Sequence, residues 1–177
     1  MLDLIMKGTI SFLELSGSCG LIPALPAACI ILEQIWNQVE QVKANKERCK
    51  VLRARCVYIF ITIRDNAVGL ETTILNQTIE EFITTIKGIH SSMNKWADWN
   101  AVRSFVKNDE IAVEIDRNMH QLDQCCTNFQ IATQLQIYKF NNQMEEAREQ
   151  DQIELKHMML SMLENQEGLK EDMGLLL

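Results

Sequence analysis

Asn45-Lys46-Glu47-Arg48-Cys49-Lys50-Val51-Leu52-Arg53-Ala54-Arg55-Cys56-Val57-Tyr58-Ile59-Phe60-Ile61-Thr62-Ile63-Arg64-Asp65 carries two patterns at once. Cys49, Leu52, Cys56, Ile59 and Ile63 recur at spacings of three and four, which puts them on one side of an α-helix. Asn45 stands where an N-cap is needed, so the spacing predicts a helix over 45–67. The second pattern is charge. Between positions 43 and 64 lie Lys43, Lys46, Arg48, Lys50, Arg53, Arg55 and Arg64, opposed only by Glu47, so this window carries +6 in a chain of net charge −7. On a helical wheel Lys46, Lys50, Arg53 and Arg64 share one narrow face beside the apolar stripe, with Arg48 and Arg55 on the other flank.

Helical periodicity continues on both sides. Upstream, Ile31, Ile35, Val39 and Val42 mark a helix over about 24–43, led in by Pro23 and Pro26 near its first turn. Downstream, Ile74, Ile79, Phe82, Ile83, Ile86 and Ile89 predict a helix over about 71–95, weakened by Gly88. Residues 96–107 read as a connection with a short extra turn. Asn108 or Asp109 caps a further helix, whose apolar positions Ile111, Ile115, Met119, Leu122, Cys126 and Phe129 lead on to Leu135 and Tyr138 without a stop. Residues 141–152 are polar nearly all round. Leu155, Met159, Met162, Gln166, Leu169, Met173 and Leu176 then follow a 3.5-residue repeat, the pattern of a packing seam. The expected fold is all-α: an antiparallel four-helix bundle over 21–140, a short amphipathic N-terminal segment over 1–20 and a C-terminal brace helix over 141–177.

Composition agrees. Apolar residues make up 47 %, enough for a packed core, and both prolines lie in the first 26 residues, so nothing later forbids helix. The N-terminal segment carries Asp3 ahead of Lys7 and Glu14 further in, which is wrong for a secretory signal. The six cysteines, with Cys49 and Cys56 on one helical face, are therefore read as free, buried thiols of a cytoplasmic protein. No apolar run is long enough for an ordinary transmembrane helix. The closing Leu175-Leu176-Leu177 lacks a polar stop, which suggests the front part of a longer protein.

Catalytic patterns are absent. There is no Gly-rich phosphate loop, no HExxH, no GxSxG and no CxxC. His90, His120 and His157 are far apart, and Glu80-Glu81 and Glu145-Glu146 read as solvated helix faces. No enzyme, cofactor or metal site is expected. An acidic chain whose basic window lacks interleaved aromatics is also a poor nucleic-acid binder.

The basic window has two readings. One is an ordinary solvated face, or a set of ion pairs with the acidic residues of 141–177, worth about 0–1 kcal/mol per exposed pair. The other is attraction to an anionic phospholipid surface, worth about 1 kcal/mol per basic side chain. The N-terminal positions Leu2, Ile5, Met6, Ile10 and Leu13 are equally double: core cap or membrane-inserting face.

The stretch from Ile22-Pro23-Ala24-Leu25-Pro26 to Asp65, with Val42-Lys43-Ala44-Asn45-Lys46-Glu47-Arg48-Cys49-Lys50-Val51-Leu52 and Arg55-Cys56, resembles fungal members of the mixed-lineage kinase domain-like N-terminal bundle family, within the wider HeLo and HeLo-like cell-death group. Phe129-Gln130 to Leu155, above all Gln150-Asp151-Gln152-Ile153-Glu154-Leu155, is similar to the helix that follows this bundle. The resemblance spans roughly 20–160. It implies a four-helix bundle with a brace helix, coupled to a kinase-like, nucleotide-binding or other sensor module. It also implies activation by release or oligomerisation, followed by binding and permeabilisation of membranes. On that reading the cationic window meets lipid, and the protein moves from cytoplasm to membrane. The alternative is an adaptor that self-associates through Leu155, Met159, Met162 and Leu169 and couples a sensor to a protein partner without touching lipid.

Overall fold

A computed structural model describes residues 24–66, 72–128 and 134–174. Among them the fold is an all-α helical bundle. Its elements are α1 (Leu25–Val39), α2 (Lys46–Asn66), α3 (Thr72–Ala97), α4 (Ala101–Val106), α5 (Asn108–Asn128) and α6 (Gln134–Gly174).

The local reasons match the chemistry of the ends. Pro26 sits in the first turn of α1, where its missing N–H costs nothing. That helix stops at Val39, short of the expected residue 43. Its last turn tightens through i→i−3 bonds from Gln41 to Gln38 and from Val42 to Val39. Lys43 is thereby freed to donate to the carbonyls of Ala97 (3.3 Å) and Trp99 (2.8 Å), at the C-terminal end of α3. Trp96 belongs to α3 and is fully buried, so the expected connection begins later than its composition suggests. Asn100 caps α4, its side chain accepting from the Arg103 N–H at 2.8 Å.

Four helices close a ring. The first helix packs on α2 and α3, and α5 packs on α2 and α3. The third element to touch α2 is α6, which lies along it and also meets α4. Thus α2 has neighbours on three sides. Its stripe Cys49, Leu52, Cys56, Ile59 and Ile63 is fully buried as expected, and Val51, Ala54, Val57, Phe60 and Ile61 are buried too. A helix buried on nearly every side is a central helix, and here the burial extends to three arginines. From α3 come Ile79, Phe82, Ile86, Ile89 and Met93, and from α5 Ile111, Ile115, Leu122 and Cys126.

Residues 141–152 are not polar on every side once folded. Phe140, Met144, Ala147 and Asp151, spaced four, three and four, form a buried stripe of α6 against the bundle. The helix is continuous across residue 140, where composition alone draws a boundary. Cys29, Cys49, Cys56, Cys125 and Cys126 are buried and form no disulfide, and burial raises the thiol pKa values of Cys49, Cys56, Cys125 and Cys126, the last to about 11. Such thiols stay protonated and unreactive.

Gly88 lies on the exposed side of α3, and a Cβ built there meets nothing within 4 Å. Gly88→Ala is therefore expected to stabilise the protein by about 1 kcal/mol, raising Tm by about 2–4 °C. Thermal unfolding of the purified variant checks it; an unchanged or lower Tm would contradict the account of α3.

Candidate functional site

The cationic window does not form an open face. Arg48, Arg53 and Arg55 are buried, with 2 %, 5 % and 1 % of their surface exposed. The wheel reading placed Arg53 on an outward stripe with Lys46, Lys50 and Arg64. In the fold that position lies against α1. The Arg53 guanidinium stacks 3.9 Å from the Trp36 ring centre and pairs with Glu40 at 3.3 Å.

The other two arginines turn toward α5. Arg48 Nη2 donates to Asp116 Oδ1 in a very short contact, and to the Ala112 carbonyl at 3.4 Å. Arg55 Nη2 donates to Asp123 Oδ1 at 2.8 Å. Arginines seven apart on α2 thus meet aspartates seven apart on α5, a register that requires the two helices to run in the same direction. Arg55 is covered on its remaining side by α6, with the Phe140 ring centre 4.4 Å from its guanidinium carbon.

The partly exposed cations are engaged as well. Lys46 pairs with Glu40 at 3.1 Å and Lys50 with Glu47 at 2.5 Å, each keeping under a third of its side chain exposed. Arg64 pairs with Asp65 at 2.8 Å. The carboxylates that form ion pairs with the window therefore come from α5, from Glu40 at the end of α1 and from Glu47 and Asp65 of α2 itself, not from the acidic C-terminal stretch. What that stretch supplies instead is Asp151.

Asp151 does what Asn45 was expected to do. Asn45 adopts φ 57°, a left-handed conformation that asparagine tolerates, and its Nδ2 turns to Asn108, donating to the side-chain oxygen at 2.8 Å and the carbonyl at 3.0 Å. The α2 amides are capped from α6. The Glu47 N–H donates to Asp151 Oδ1 at 2.9 Å and the Arg48 N–H to Oδ2 at 3.1 Å. These are the second and third helical residues, whose N–H groups have no partner within the helix. A carboxylate there also faces the positive end of the helix dipole. Burial nevertheless raises the Asp151 pKa to about 6, against the two N–H bonds that favour the charged form. Around this cap lies a polar cavity of about 220 Å³, whose walls include Arg48, Asn108, Asp116, Arg148 and Leu155.

No family model, no curated protein and no solved structure matches this chain. What the site can do is read from its own geometry. Among the described residues no group of three or more His, Cys, Asp or Glu could hold a metal ion, and no helix is long and apolar enough to cross a membrane. The arrangement is a clamp: one long helix caps and covers another.

The remaining sequence-derived residues are spread out. Leu2, Ile5, Met6, Ile10 and Leu13 lie outside the described residues. Of the proposed seam, Leu155 and Met162 are half-buried, continuing the inward stripe of α6, while Met159 is exposed; Leu169 lies further along the same helix. Residues that sequence reasoning passed over are Asp116, Asp123 and Asp151. The seven-residue match between Arg48/Arg55 and Asp116/Asp123 was a usable signal. Nothing local marks Asp151 as a cap for a helix more than a hundred residues earlier.

Proposed function

We propose that this chain is a non-enzymatic signalling domain of regulated cell death, held closed by α6 and acting on anionic membranes once an upstream sensor withdraws that helix. The observation that carries the reading is the cover itself. Phe140 lies over the Arg55 guanidinium and Asp151 accepts from the Glu47 and Arg48 amides, so the same helix covers one buried cation and one helix end. Withdrawal would leave α2 with a free positive end and a wetted arginine, the chemistry that an acidic lipid headgroup attracts. Lys46 and Lys50 would add to it. The resemblance to the mixed-lineage kinase domain-like bundle group supports the same direction of change.

The test is dye release from vesicles with and without phosphatidylserine, comparing the full chain with its Phe140→Asp variant. Undocking α6 is expected to increase release several-fold, only where phosphatidylserine is present. Adding Lys46→Glu and Lys50→Glu should suppress it. Release should also fall as salt shortens the screening length from about 10 Å at 0.1 M to about 3 Å at 1 M. No release from either protein, both folded by circular dichroism, would remove the lipid reading.

One observation favours a second reading, an adaptor that couples a sensor to a protein partner. Ile153, Met159, Leu160 and Leu163 of α6 are 52 %, 41 %, 44 % and 50 % exposed. Apolar side chains on an acidic helix suit a protein surface better than a lipid one.

A further inference from the structure

A larger cavity is a groove of about 800 Å³ between α3 and α5, lined by those two helices alone. Two pairs of side chains bridge it. Ser92 donates to Glu114 at 2.6 Å, and Thr85 Oγ1 lies 3.6 Å from Cys125 Sγ. The earlier residue of one helix thus meets the later residue of the other, so α3 and α5 run antiparallel. Between the bridges lie Gly88 on α3 and Asn118 and Gln121 on α5. Gly88 offers no side chain, and the space its Cβ would take is open. Asn118 is 3 % exposed, and its Nδ2 is buried with no hydrogen-bond partner. A buried N–H2 without an acceptor lowers stability, and leucine would fill the same space without that cost. An acceptor seated in the groove supplies what Asn118 lacks.

The rest of the lining narrows the class of ligand. Amides and hydroxyls predominate and none of the lining residues is aromatic, whereas sites for small organic ligands are mostly apolar and aromatic. Glu80 and Glu81 stand in the α3 wall, a poor surface for an anionic lipid or a nucleic acid. A groove between two helices suits a third helix, read through anchors three, four and seven residues apart. A glutamine or asparagine on such a helix has both groups the site needs. Its carbonyl accepts from Asn118 Nδ2, and its own N–H2 donates to the hydroxyl or carboxylate oxygens beside it. Glu81 precedes Gly88 by seven residues, about 10 Å along α3. A lysine or arginine two turns away on the same partner helix therefore reaches Glu80 and Glu81.

We infer that the α3–α5 groove binds a helix of a partner protein. That helix presents a carboxamide side chain to Asn118 over Gly88, and a basic side chain seven residues away to Glu80 and Glu81. The groove shares no residue with the α6 clamp or with the outer side of α6, so it stands or falls apart from both readings above.

Phage display of helical peptides on the full chain tests it, with the Gly88→Leu protein as counter-selection. Leucine at that position fills the groove from an open site, so the variant is expected to fold. Enriched peptides are expected to carry Gln or Asn with Lys or Arg seven residues to one side. The best of them, synthesised and titrated by calorimetry, should bind at least about tenfold more weakly to Gly88→Leu, to Asn118→Leu and to Glu80→Lys/Glu81→Lys. Asn118→Leu alone should melt at or above the wild-type temperature, the mark of a residue kept for binding rather than for the fold. No enrichment over the counter-selection overturns the inference. So do enriched peptides without a carboxamide, binding indifferent to Asn118→Leu or to Glu80→Lys/Glu81→Lys, and an Asn118→Leu protein that melts below the wild type. A wild type that sediments as a dimer and becomes monomeric in Gly88→Leu gives the groove to a second copy and equally overturns it.

Discussion

Asp123→Ala should lower the unfolding free energy by about 3 kcal/mol, far more than the loss of an ordinary surface ion pair at about 0–1 kcal/mol. The reason is asymmetric burial. Asp123 keeps 30 % of its side chain in contact with solvent, but its partner Arg55 keeps 1 %. Removing the aspartate leaves a guanidinium under Phe140 with its charge uncompensated. Stranded buried charges typically cost about 3–5 kcal/mol. The low end applies here because the Phe140 ring and the Cys126 sulfur at 3.5 Å remain beside the guanidinium. The same argument makes a second, less obvious claim. Arg55→Met on top of Asp123→Ala should recover most of the loss, because methionine fills a similar volume without a charge to solvate. Urea denaturation of the two single variants and the double variant measures the coupling directly. A single Asp123→Ala variant within 1 kcal/mol of wild type would show that Arg55 reaches water.

Asp151→Ala should cost about 2 kcal/mol. It removes an N-cap, worth about 0.5–2 kcal/mol, and leaves two amides at a covered helix end without an acceptor. Part of that loss is offset, since the buried carboxylate is itself costly in its charged form. The pH dependence separates the two contributions. Burial raises the Asp151 pKa from 3.8 to about 6, with Glu154 pushing the same way and the two backbone N–H groups and Arg48 pushing back. A raised carboxyl pKa means that the folded protein binds the proton more tightly than the unfolded chain. The stability linked to this proton is present in full below pH 3.8 and is lost as pH rises through about 6. The limiting difference is about 3 kcal/mol at 1.4 kcal/mol per pK unit. Relative to Asp151→Asn, which does not titrate, the wild type should gain stability as pH falls from 7 toward 4. Paired melting curves across that range check the sign. A gain in the opposite direction would mean that the helix end, not burial, dominates at this carboxylate. Hydrogen exchange at the Glu47 and Arg48 amides should accelerate in Asp151→Ala and report loss of the cap locally.

The helices were readable from spacing because helicity and amphipathicity are local. Cys49, Leu52, Cys56, Ile59 and Ile63 declare one buried side whatever surrounds them, and α5 begins where Asn108 and Asp109 suggest. The end of α1 was less legible. Val42 continues the apolar period, yet the chain turns after Val39, because the tightened last turn lets Lys43 reach the C-terminal carbonyls of α3. The site was the least legible part. Seven cations in one window read as a surface, since a lone helix must show its charges to water. With α1, α5 and α6 packed around it, α2 has little surface to give, and three arginines are buried beside Trp36, Asp116 and Asp123. The C-terminal repeat was legible only in part, with Leu155 and Met162 half-buried and Met159 exposed. Its apolar residues occupy two faces, and periodicity cannot say which of them the bundle takes.

Taken by itself, then, the amino-acid order determined that this chain is all-α, which stripe of α2 is core, and that its charges are segregated along the chain. Tertiary structure alone decided which charges are buried, which carboxylate caps α2, and which side of α6 is left outward. The physical reason is range. Helical period and propensity act over four residues, whereas the fate of a charge or an unbonded amide depends on whichever element lies against it, here Asp151 from a helix that begins nearly ninety residues after Asn45.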